Sequence, residues 1–258
     1  MIRTSLLLIF LNLNCFAFAE DTLTPFETLQ AFENIYDKML PAQEKSDEAF
    51  AWFSGLPHPL FNAVMHLKID CQVNEKIDAL IAKVSNATPV AFWIHNQNRP
   101  TNLADVLKGK GFQVIIVCPL MSWDVKPVVL NDYRVETAKL DVFNNIIATT
   151  SHFDESMRMG FFKFLEGAET ENYLIYQDEE PVGTGSVVSN GKIGGIFNVA
   201  ILPEHQGKGY GHALSIFLMN RARELGVEKV VLLSSPAAEK LYSNLGFQKC
   251  FDIEIYAQ

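Results

Sequence analysis

The stretch PEHQGKGYGHALSIFLMNRARELG, residues 203–226, constrains this chain more than any other. An apolar run ends at Ile201, Pro203 stops it, and Gly207, Gly209 and Gly211 then alternate before an unbroken amphipathic pattern. Leu214, Phe217, Leu218, Ala222 and Leu225 recur at the spacing of one buried helix face. The local order is therefore strand, bare turn, helix. Glycines strip away every Cβ that could block an approaching group. Successive backbone N–H groups, added to the positive end of the helix, then make a site for an anion. Lys208 adds a formal charge of the same sign. A tight turn that needs glycine only for positive φ is the simpler alternative, and it accounts for one glycine better than for three.

Two familiar phosphate-binding patterns do not fit. A Rossmann turn needs G-x-G-x-x-G early in a βαβ unit with an acidic residue some 20 positions on, whereas the spacing here is G-x-G-x-G near the C-terminus. A P-loop needs Gly-Lys followed by Ser or Thr, and Gly207-Lys208 is followed by Gly209.

The rest of the chain sets bounds. With 258 residues, 48 % of them hydrophobic, it can bury a good core in one or two domains. A net charge of −9 with no basic patch argues against nucleic-acid binding and fits a cationic amine partner loosely. Cys15, Cys71, Cys118 and Cys250 show no CxxC spacing, and the six histidines form no HxxxH pair, so no metal site is expected. Cys118 and Cys250 sit in apolar runs and read as small buried thiols. Residues 1–19 have the anatomy of a secretory signal peptide: Arg3, an apolar stretch, then Ala17-Phe18-Ala19 before Glu20. A buried N-terminal helix is the alternative. That segment is too short for a stable membrane span.

Residues 21–55 read as two helices, the first opened by Thr24-Pro25 and the second being SDEAFAWF behind Ser46. From residue 60 to 120 strands and helices alternate, with strands in LFNAVMHLKI, PVAFWIH and FQVIIVCPL and helices in VNEKIDALIAKVSN and TNLADVLKGKG. MSWDVKPVVLND reads as the join between halves. Beyond it the expected order is β-α-α-β-β-β-α-β-α-β. Turns at Asp178-Glu179-Glu180 and Asn190-Gly191 make the three central strands antiparallel neighbours.

Gln206-Gly207-Lys208-Gly209-Tyr210-Gly211 matches every position of [Q/R]-x-x-G-x-[G/A], the acetyl-CoA segment of the GNAT superfamily of N-acetyltransferases. NVAILPEH resembles that family's fourth strand, and AAEKLYSNLGF its closing A-x-x-L-Y-x-x-x-G-F motif. The resemblance covers residues 129–258. It implies the GNAT fold, an α/β (α+β) arrangement with a mixed, mostly antiparallel sheet flanked by helices. It further implies a catalytic domain over residues 129–258 that moves acetyl from acetyl-CoA to a primary amine in a ternary complex, without a metal. Val199, Ala200 and Ile201 would then run along the pantetheine arm, with Gly207, Lys208, Gly209, Tyr210, Gly211 and His212 around the pyrophosphate. Tyr242 would return a proton to the departing thiolate, its phenol having an ordinary pKa of about 10. Many members carry Asn seven residues before that tyrosine, where this chain has Ser235.

No carboxylate sits inside the strands GGIFNVAI or VVLLSS, so a general base is missing there, and His152 and Glu155 are the polar candidates nearby. A catalytically inactive acyl-CoA-binding module and an exported binding protein are the rival readings. Residues 20–128, through Trp93, Leu103, Leu107, Gly111 and Phe112, resemble the degenerate first half of two-domain bacterial members. That half would shape the cleft for a small-molecule or peptide amine. The acetyl-CoA requirement implies a cytoplasmic protein, and a working signal segment implies export. The acceptor and the oligomeric state stay open.

Overall fold

The computed structural model describes residues 24–39, 44–84 and 88–258. The signal-like segment 1–19, with Cys15, lies outside the described residues.

The described chain opens with α1 (Pro25–Met39). Thr24 and Glu27 form a reciprocal cap: the Thr24 N–H donates to the Glu27 carboxylate at 2.8 Å, and the Glu27 N–H donates to Thr24 Oγ1 at 3.3 Å. Strands β1 (Glu44–Lys45) and β2 (Phe50–Phe53) follow as an antiparallel pair. This corrects the helix expected over SDEAFAWF. Ser46 does accept backbone N–H groups, from Glu48 at 3.2 Å and Ala49 at 3.1 Å, but the turn it satisfies closes a hairpin. The aromatic, alternating FAWF then enters the sheet, with Phe50 and Trp52 on one face and Ala51 on the other.

Next come β3 (Asn62–Met65), α2 (Val73–Ala82), β4 (Ala91–Ile94), α3 (Leu103–Gly109) and β5 (Gln113–Asp124). Here too the structure departs from expectation: MSWD is the end of β5 and not a linker, because Met121 and Trp123 are buried beneath α-helical side chains. After Val125 the chain forms β6 (Val135–Thr137), α4 (Leu140–Thr150), α5 (Glu155–Gly167), β7 (Glu171–Gln177), β8 (Glu180–Asn190) and β9 (Ile193–Ile201). It closes with α6 (Tyr210–Glu224), β10 (Lys229–Leu233), α7 (Glu239–Asn244) and β11 (Gln248–Ala257). β7, β8 and β9 are antiparallel neighbours joined at the turns read from the sequence.

Among the described residues, eleven strands form one sheet, ordered β1-β2-β3-β4-β11-β5-β10-β9-β8-β7-β6. The order interleaves the two ends of the chain. β11 lies between β4 and β5, while β5 lies between β11 and β10. Alternate residues of each strand feed two layers. Trp52, Trp93, Leu120 and Val231 face α1, whereas Trp123, Val230 and Leu232 face α6 and α7. α2 and α3 cover Ala51, Val64 and Phe92 on the latter side, and α4 and α5 pack over Leu174 on the former.

Two glycines let helices approach the second half of the sheet. A Cβ on Gly185 would sit 2.6 Å from Leu218 of α6, and one on Gly195 would sit 2.7 Å from Ile35 of α1 and 2.4 Å from Phe197. Gly195→Val should therefore force α1 off the strand and destabilise the protein by about 1–3 kcal/mol, readable as a lower urea midpoint at unchanged slope.

Core polar groups add a pH dependence. His95 is 8 % exposed, and burial, with His66 and Lys68 nearby, pushes its pKa down to about 4. Its Nδ1 accepts the Gln97 N–H at 3.1 Å, so in the neutral ring Nε2 carries the hydrogen and is buried without a partner. Since the unfolded value is near 6.5, the stability due to neutral His95 is present above pH 6.5. It is lost as pH falls toward 4, to the extent of about 3 kcal/mol. Melting curves should show that loss in the wild type and much less of it in His95→Gln.

Candidate acyl-transfer site

The site grows from a strand pair that parts. β9 and β10 are parallel neighbours only over Ile193–Gly195 and Lys229–Val231. Beyond Gly195, β9 follows β8, while β10 stays with β5 as far as the Leu233–Leu120 pair. A wedge opens between them. Its β9 side is bent at Asn198, which takes φ of 54° where the pairing with β8 slips a residue. Thr184 Oγ1 holds the bend by donating to the Asn198 carbonyl at 2.9 Å, and Asn198 Nδ2 donates to Ser186 Oγ at 3.2 Å.

Val199, Ala200 and Ile201 occupy the β9 edge just past this bend. The chain then turns through Pro203–His205 into the glycine segment. Gln206 lies against the strand end, its side-chain amide donating to the Ile201 carbonyl at 2.9 Å, so it holds the loop in place. Gly207 and Gly209 take φ of 72° and 91°, which answers in part to the simpler reading of the glycines as turn residues. Gly207 has nothing within 4 Å of where a Cβ would stand, so its face is bare as well as left-handed. Gly211 has no such backbone demand. It is the second residue of α6, with Ile201 and Leu241 at ordinary contact distance from a Cβ. α6 starts at Gly209 with no side chain capping it, leaving the N–H groups of Tyr210, Gly211 and His212 without helical partners. Lys208 and His212 are exposed beside them. Tyr133 joins this cluster unannounced by any motif. It packs edge-on to Tyr210, with its hydroxyl 3.2 Å from where a Gly209 Cβ would stand.

Tyr242 sits on α7, 6 % exposed and edge-on to Phe247. Its hydroxyl lies near Ser215, whose own proton goes to the Gly211 carbonyl at 2.8 Å. Burial pushes its pKa up to about 12, correcting the expectation of a value near 10. Ser235 is exposed at the end of β10, on the opposite lip of the wedge from Asn198.

Two cavities flank Asn198 on the α1–α5 side of the sheet. One, of about 260 Å³, is lined by Val199 and Ala200 together with His58, Phe153 and Phe161. The other, of about 320 Å³, runs beneath α1 and α5 to Ser235. Leu60, Phe61, Phe161 and Asn198 belong to both. His152 and Glu155 line neither: both are exposed, and Glu155 is paired with Arg158 at 2.8 Å. Among the described residues, no group of three or more His, Cys, Asp or Glu could hold a metal, and no helix is long and apolar enough to cross a membrane.

Residues 139–247 match the model of the acetyltransferase (GNAT) family. The chain is similar to the uncharacterized N-acetyltransferase YobR of Bacillus subtilis, 25 % identical over 185 residues that make up 67 % of this chain and 74 % of that protein. It also resembles an uncharacterized acetyltransferase of Streptococcus pyogenes, at 29 % identity over 33 % of this chain and 63 % of the relative. The fold is shared with a conserved protein of Staphylococcus epidermidis, with a TM-score of 0.69 at 16 % identity over 88 % of this chain and 96 % of the other. A GCN5-related N-acetyltransferase from Kribbella flavida gives 0.66 at 14 % identity, over 90 % and 95 %.

Proposed function

We propose that this protein transfers an acetyl group from acetyl-CoA to a primary amine by direct attack within a ternary complex. The observation that carries the reading is the wedge between β9 and β10 together with the bare, uncapped start of α6 at its end. When bound, acetyl-CoA supplies an activated acyl group on a thioester.

The chain's own residues have these parts. Tyr210, Gly211 and His212 offer backbone N–H groups, and Lys208 a positive charge, to the pyrophosphate. The bare face of Gly207 lets it come close. Val199, Ala200 and Ile201 present the unpaired strand edge to the pantetheine arm, and an N–H at the bend stabilises charge developing on the thioester oxygen. Ser235 contributes a hydroxyl from the opposite lip.

Tyr242 is protonated at every physiological pH and can only donate. With its pKa at about 12, proton transfer to a thiolate of pKa about 8.5 is uphill by more than three pH units before any rearrangement of its surroundings. Tyr242→Phe should lower kcat by about 10²-fold with unchanged affinity for acetyl-CoA. A drop in melting temperature with unaltered kcat would instead make it a packing residue. Calorimetric titration of the full chain with acetyl-CoA tests the reading as a whole, and a folded protein that binds none overturns it.

A further inference from the structure

The larger cavity holds more information about the acceptor than the glycine segment does. It lies across the sheet from α6, and the wedge between β9 and β10 joins the two sides. Its wall comes from both ends of the chain: Tyr36 and Trp93 from the first half, Phe161, Phe197 and Asn198 from the second. Among the described residues, no Asp, Glu, Lys, Arg or His lines it. The polar groups it offers are few. Asn198 and Ser235 stand at the wedge, and Thr170 lies just beyond α5. Tyr36 packs closely on Trp52, with ring centroids 4.4 Å apart and the planes tilted by 34°, and burial raises its phenol well above the ordinary range.

Such a wall selects by charge. A polyamine, an amino acid or a lysine side chain would lose its water here and find no counter-charge, at a cost of several kcal/mol. The net acidity of the chain, which fits a cationic acceptor loosely, does not reach this cavity. A neutral amine with a flat, apolar body is favoured on every count. Aromatic rings pack on the wall, and desolvation holds the amine in its uncharged form. The last point also bears on the missing general base, because a nitrogen that arrives neutral needs none.

Building on the acyl-transfer reading above, we propose that this cavity binds the acceptor and that the acceptor is an aromatic amine, uncharged when it enters. In the reaction the neutral nitrogen forms the C–N bond with its lone pair, and the C–S bond breaks with its pair leaving on sulfur. The surplus N–H proton neutralises the thiolate.

The test uses the full chain and three probes: p-toluidine, phenethylamine and spermidine. Calorimetry without any donor should show p-toluidine binding, and spermidine at least tenfold weaker. With acetyl-CoA, thiol release should favour p-toluidine over spermidine by at least tenfold in kcat/KM at pH 7. The p-toluidine rate should be flat from pH 6.5 to 9, whereas that of phenethylamine, protonated at neutral pH, should climb about tenfold per unit. Phe164→Asp, on the partly exposed flank of the cavity wall, should weaken p-toluidine at least tenfold and narrow the gap to spermidine.

A preference for spermidine, or p-toluidine that neither binds nor reacts while acetyl-CoA binds, overturns the cavity assignment alone. Octanoyl-CoA releasing thiol tenfold faster than acetyl-CoA also overturns it, by giving the space to an acyl chain. If p-toluidine binds and acetyl-CoA does not, the acyl-transfer reading falls and the aromatic site stands.

Discussion

Gly211→Glu should fold normally and bind acetyl-CoA at least 100-fold more weakly than the wild type, a loss of about 3 kcal/mol. The three glycines of the segment are not equivalent as test positions. Gly207 and Gly209 hold left-handed backbone, so any side chain there strains the turn and confuses a binding defect with a folding one. Gly211 is helical, and a Cβ on it meets only Ile201 at 3.7 Å and Leu241 at 4.0 Å. A carboxylate in the first turn interacts favourably with the helix dipole, so α6 itself should be slightly steadier. The same carboxylate occupies the N–H groups offered to the pyrophosphate and repels its charge. Calorimetry beside a melting curve separates the two effects. Unchanged binding in the folded variant would mean that the anion is not held at this helix start.

Ile255→Asp should destabilise the whole protein, first half included, by about 4 kcal/mol or more, since it buries an uncompensated charge. Ile255 is 2 % exposed and pairs with Trp93 of β4 on one side and Ile116 of β5 on the other. The chain's tryptophans report on both sides of the sheet, Trp52 and Trp93 beneath α1 and Trp123 beneath α6 and α7. In a urea titration the near-ultraviolet signal and the fluorescence should shift together to lower denaturant as one transition. A first transition that leaves Trp52 and Trp93 in their native environment would show that the interleaved strands do not couple the halves.

The glycine segment and its helix were legible because their signal is local. A proline stop, residues without Cβ and a buried stripe on α6 all lie within a few turns of chain. The wedge is a relation between β9 and β10, and on β9 itself only Gly194 and Gly195 hint at where their contact ends. SDEAFAWF misled for a similar reason. Ser46 satisfies the same backbone N–H groups in a hairpin turn as at a helix start, and the partner strand β3 decides which. Tyr133 belongs to no motif, and Asn198 opens the NVAILPEH stretch with nothing to mark it as a bend; their importance comes from that bend and from a contact across the fold. Burial likewise moved Tyr242 away from the pKa its residue type suggests, which a sequence has no means to show.

The interleaving of β5 and β11 also sets a schedule for synthesis. A ribosome delivers β4 and β5 well before β11, the strand that belongs between them, because β6 to β10 lie between β5 and β11 along the chain. Until β11 clears the exit tunnel, the edges of β4 and β5 that will receive it have no partner. Folding of the first half by itself during translation is thus closed to this chain. Its sheet is complete only once β11 has emerged, and whatever shields the waiting edges of β4 and β5 in the cell acts on a nascent chain that already carries both halves.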